Sequence, residues 1–157
     1  MYILAVIGVI LAVLLNTVIT ENGLASAISY FDAVSILQFV IIIIPILAAS
    51  GLLKDFNNAF KLTIGRKKAD SILQLKRAKE AVKLAGKTSL ASGAMATCCG
   101  FIINAHNCIT STGTDINSLV AGSAASLITM FYGLILYLFL LPVKSKLEVR
   151  ISDFMQD

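Results

Sequence analysis

The sequence predicts an all-α, polytopic membrane protein in which four transmembrane helices are joined through a short helical cytoplasmic loop. Three observations predict it. Stretches 1–20, 33–53, 88–114 and 116–143 contain no Asp, Glu, Lys or Arg, and each meets or approaches the roughly 20 apolar residues needed to cross a hydrocarbon core. Hydrophobic residues make up 57% of the 157-residue chain and charged residues only 14%, far below the roughly 25% charge of soluble domains. Ten of the thirteen Lys and Arg lie between Lys54 and Lys87, the others are Lys144, Lys146 and Arg150, and none occurs in 21–32 or 111–115. That asymmetry predicts cytoplasmic termini and a cytoplasmic central loop. The expected organisation is one membrane domain over 1–157, with spans at about 2–20, 33–53, 90–110 and 118–143 and a loop over 54–87.

The first segment, MYILAVIGVILAVLLNTVIT, lacks the basic n-region of a secretory signal. Its apolar stretch exceeds an h-region, and its small-x-small site at Ala25 and Ala27 lies far past the end, so it is expected to stay as a span. In the loop, Gly65 reads as a break. Beyond it Ile72, Leu73, Leu75, Ala78, Val82 and Leu84 alternate with lysines in an amphipathic pattern. Two short cytoplasmic helices are expected, the second from about 69 to 84, running into or closely abutting the third span. The basic residues form a solvated face or touch anionic headgroups. Nucleic acid is not an expected partner, because Asp55, Asp70 and Glu80 interrupt the basic residues and no aromatic platform accompanies them.

The third segment is the least apolar. Gly93, Thr97, Gly100, Asn104 and Asn107 recur at spacings of 4, 3, 4 and 3, which aligns them on one helical stripe while Met95, Ile102 and Ile109 fall on other faces. The fourth segment repeats the device with Ser118, Gly122, Ser126, Thr129 and Gly133. Two readings stay open: small and hydroxyl residues bring membrane helices close together, or the paired stripes line a polar cavity. With no carboxylate in any span, a polar pathway would borrow its ionisable group from a partner. His106 lies nine residues from Thr97, about 180° around an ideal helix, and is therefore expected off the stripe near the outer interface. Cys98, Cys99 and Cys108 show no CxxC or Cys/His metal spacing and read as packing residues. No cofactor or metal is expected, and no enzymatic activity.

In the fourth segment SLITMFYGLILYLFLLPVKSKLE resembles the last membrane helix of the MotA branch of the MotA/TolQ/ExbB family, LLTTxYGxxLAN followed by LP and a basic amphipathic tail. In the second, SILQFVIIIIPILAASGLLKDFNNAFKL is similar to that family's second helix and its exit phrase, here Leu53, Lys54, Asp55, Phe56, Ala59, Phe60 and Lys61. GAMATCCGFI matches the family's GxxGTxxG at Gly93, Thr97 and Gly100. The resemblance covers roughly residues 31–61 and 90–148. Four features depart from the pattern: isoleucines at 41–44 and Pro45 replace a Gly-Gly-Thr, Leu90 stands near an expected proline, Ala96 replaces a glycine, and Met130 replaces the second threonine of a pair. The loop over 55–87 is only 33 residues long, where flagellar stators carry a large rotor-gripping domain, so flagellar rotation is not the expected output.

The resemblance implies a homopentamer around a dimer of single-span MotB-, TolR- or ExbD-like partners, each bringing one membrane Asp, in a bacterial inner membrane. Ion passage at that Asp would drive rotation. Thr97, Thr129, Met130, Asn104 and Ser126 are the expected ion-pathway residues, with Thr97 and Thr129 at similar depth flanking the partner's Asp. Gly93, Gly100, Gly122 and Gly133 are expected to pack against the partner helix. The Met130 thioether removes an oxygen ligand, which favours protons over sodium. A non-conducting membrane scaffold is the alternative. A self-sufficient small transporter is disfavoured, since no span carries a carboxylate of its own.

Overall fold

The computed structural model describes residues 8, 33–64, 71–110 and 116–156. Except for residue 8, the expected span at 2–20 lies outside the described residues, as do the break at Gly65 and the outer loop at 111–115. The described residues build four helices: α1 (Ala33–Ala49), α2 (Leu53–Ile64), α3 (Ile72–Thr110) and α4 (Ile116–Gln156). By length and composition α3 and α4 are able to cross a membrane, and α1 with α2 would make a third span if the bent pair is one crossing.

The second span was expected to reach residue 53. Instead α1 stops at Ala49, because Gly51 takes φ +65°, a left-handed conformation that glycine adopts without steric cost. The Leu52 N–H donates to the Leu47 carbonyl at 2.9 Å and the Gly51 N–H to the Ala48 carbonyl at 2.9 Å, which is a Schellman ending. The chain then turns through 105° into α2. Asp55, in the first turn of α2, accepts from Arg77 Nε of α3 at 3.0 Å. The same guanidinium reaches the Gly51 carbonyl at 3.4 Å and so holds the corner against α3. Around α1, Ser35, Phe39 and Leu47 are buried, while Ile36, Leu37, Val40, Ile41 and Ile44 are exposed as a face suited to lipid.

Ser71 begins α3, its hydroxyl accepting from the Gln74 N–H at 3.3 Å in the manner of an N-cap. The second loop helix and the third span are one unbroken 39-residue helix. Likewise α4 runs 41 residues through Pro142. From Ile72 to Lys87 α3 extends about 24 Å beyond its charge-free part, and from Lys144 to Gln156 α4 extends about 20 Å. Against these extensions α2 lays an amphipathic face. Ala59 and Leu62 join Leu75, Ala78, Val82, Val143, Leu147 and Ile151 in one aliphatic core, with Phe56 and Phe60 packed at its edge. Lys146 Nζ donates to the Thr63 carbonyl at the end of α2, and Lys79 pairs with Glu148 at 3.0 Å between α3 and α4.

Candidate functional site

Within their charge-free halves, α3 and α4 approach so closely that side chains on the shared seam must be small. A Cβ added at Gly93 would stand 3.3 Å from the Met130 Cα and 3.4 Å from the Gly133 Cα. At Gly133 it would stand 2.7 Å from the Ser89 carbonyl oxygen, closer than real Cβ contacts come. Gly100 faces the Ser126 side chain and Gly122 the Asn104 amide. The two sequence stripes are thus apposed in antiparallel register, Gly93 by Gly133, Gly100 by Ser126 and Asn104 by Gly122. All four glycines expected to meet a partner helix are occupied by contacts inside the hairpin.

The hydroxyls knit this seam. Thr97 Oγ1 lies 2.9 Å from the Gly93 carbonyl and 3.0 Å from the Ser126 carbonyl across the interface. Ser126 donates to the Gly122 carbonyl at 2.9 Å, and Asn104 Nδ2 reaches the Ser126 oxygen at 3.4 Å. Ser89 donates to the Gly86 carbonyl at 2.8 Å and Ser92 to the Ser89 carbonyl at 3.1 Å. Each bond satisfies a polar group that hydrocarbon would otherwise strand.

Beside the seam lies an open groove of about 410 Å³. Its polar walls are Asn104 of α3, Ser126 and Thr129 of α4, and Gln38 of α1. Its apolar walls include Met95, Ala96 and Ile103. Thr129 and Ser35 hydroxyls meet at 2.9 Å, which ties α1 to the groove. Of the five expected pathway residues, Asn104, Ser126 and Thr129 line this groove. Thr97 is buried in the seam instead, and Met130 is 41% exposed with its backbone against Gly93. Thr97 bonds the Ser126 carbonyl, one turn from Thr129, so the two threonines share a depth while their hydroxyls face different partners. His106 is exposed and does not line the groove. Cys99 does line it, whereas Cys98 is exposed elsewhere. No carboxylate or basic group stands among the groove's walls.

Sequence reasoning missed Ser35 and Gln38. Their signal is present, because they are the polar residues of an otherwise apolar α1 and stand one turn apart. Ser89, four residues before Gly93, likewise extends the third-segment stripe. Among the described residues no group of His, Cys, Asp or Glu is arranged to hold a metal. Comparison with protein-family models, with curated proteins and with solved structures gave no match.

Proposed function

We propose that this chain is the ion-pathway subunit of a homo-oligomeric membrane motor driven by an ion-motive force, working with a single-span partner that supplies the membrane carboxylate. The observation that carries this reading is the groove to which Gln38, Asn104, Ser126 and Thr129 bring polar groups without any carboxylate or basic side chain. A bare carboxylate in the bilayer is expensive and is accepted beside such a lining. The long extensions of α3 and α4 give the assembly a stalk outside the membrane, as befits an element that transmits motion. A pentamer around a dimer, in a bacterial inner membrane with both termini cytoplasmic, is the arrangement proposed. Protons are the proposed coupling ion, with sodium the competing one, since Met130 stands outside the groove and Gln38, Asn104, Ser126 and Thr129 bring side-chain oxygens to it.

The alternative, a scaffold that does not conduct, draws on a specific observation. Thr97 and Ser126 donate to carbonyls inside the hairpin, as hydroxyls in a packing seam do.

Proteoliposomes containing the chain and a co-expressed single-span protein with a central Asp separate the two. Partner-dependent proton flux should fall at least tenfold in Thr129→Val while native mass spectrometry still finds the same ring. Flux indifferent to Thr129→Val, or a species no larger than a dimer, would remove the motor reading in favour of the scaffold.

A further inference from the structure

At the other end of the charge-free region a second cleft, of about 90 Å³, opens between α3 and α4. Gly86 creates it. A Cβ there would lie 3.1 Å from Tyr137 Cδ2, so the ring rests on bare helix backbone, and Leu140 and Leu141 continue the apolar wall. Three ammonium groups, Lys83, Lys87 and Lys144, complete the lining without any carboxylate.

The neighbouring acids leave much of this charge uncompensated. Glu80 pairs with Lys83 at 3.2 Å. Glu148 is 3.9 Å from Lys144 but is held at 3.0 Å by Lys79. Lys87 makes no ion pair among the described residues. Its place is informative: Lys87 is the last charged residue before 88–114 and Lys144 the first after 116–143, so both flank the level at which hydrocarbon gives way to headgroups. Tyrosine favours that level, and lysine stems lie along apolar surface while their tips stay in the polar zone.

We propose that this cleft is a binding site for the phosphate headgroup of an anionic phospholipid, held by Lys87 and Lys144 with Lys83 at the rim, its acyl chain starting along Tyr137, Leu140 and Leu141. A basic pocket between membrane helices on the positively charged side has the chemistry for such headgroups. The apolar wall favours a lipid over free phosphate, which would leave that wall unused. The site depends on the membrane placement of α3 and α4 and is independent of the motor reading.

The test is native mass spectrometry of the purified full chain after detergent exchange with phosphatidylglycerol or phosphatidylcholine. Wild type should retain phosphatidylglycerol preferentially. Each of Lys87→Gln and Lys144→Gln should lower that retention about fivefold, and the paired arginine variants should keep it. Lys54→Gln with Lys76→Gln removes, from exposed positions outside the cleft, the same two charges as Lys87→Gln combined with Lys144→Gln, and should leave retention unchanged. Equal losses from the two pairs would reduce the effect to diffuse attraction and overturn the site, as would indifference to Lys87 and Lys144. Displacement of the lipid by excess inorganic phosphate would make the cleft a free-anion site and overturn the lipid assignment.

Discussion

The aqueous and bilayer halves of the α3–α4 seam use one helical spacing and opposite chemistry. Outside the charge-free region the buried aliphatic positions include Leu75, Ala78, Ala81, Val82 and Leu147, with Val143 at the boundary. Within it they are Ser89, Gly93, Thr97, Ser126, Thr129 and Gly133. The difference follows from the solvent. In water, burying aliphatic surface stabilises by about 25 cal/mol per Å², so large side chains hold the helices together. In lipid that drive is absent, and close backbone approach with interhelical hydrogen bonds takes its place. A continuous helix pair therefore changes its residue alphabet where it crosses the interface, while its periodicity runs on.

The largest effect that would break this comparison lies in the aqueous half. Leu75→Ala or Leu147→Ala should each lower unfolding free energy by about 2–5 kcal/mol, measured by denaturant titration in mild detergent. A loss below about 1 kcal/mol would mean that the aliphatic core is not what holds the extensions together.

A smaller effect is expected in the bilayer half, where the nature of the obstructing atom sets the ranking. Gly133→Ala drives a methyl against the Ser89 carbonyl, a backbone atom that moves only with its helix, and should cost about 1–3 kcal/mol. Gly122→Ala meets the Asn104 amide, which swings aside, and should be milder. Equal thermal stabilities for the two variants would contradict the close-approach account of the seam.

The smallest effect is a sharpening by pH. Hydrogen bonding to Lys79 is the main influence holding the Glu148 carboxyl below its ordinary range. A depressed carboxylate contributes stability that is present above its unfolded value of about 4.3 and is lost as pH falls through the lower folded value. Acid titration should therefore lower the denaturant midpoint only slightly, because the pair is solvent-exposed and the aliphatic core still holds the extensions of α3 and α4. In Lys79→Gln the acid step should shrink, because the unfolded and folded values draw together.

Sequence by itself determined the class and the outline of the seam. Charge desolvation in a bilayer is so costly that the charge-free stretches within α3 and α4 mark candidate membrane spans without any knowledge of contacts. Helical period, equally local, aligned Gly93, Thr97, Gly100 and Asn104 on one face and placed His106 off it. Only the tertiary structure decided what those faces meet. Thr97 bonds a carbonyl 29 residues away, the groove needs Gln38 from α1, and Ser35 reaches Thr129 across 94 residues. Such pairings depend on the register between helices, which no single helix encodes. Sequence reasoning missed the bend after Ala49 and carried the span to residue 53; the structure ends α1 ahead of Gly51 and ties the corner to α3 through Arg77 and Asp55. Local physics writes faces and endings, and packing in three dimensions selects their partners.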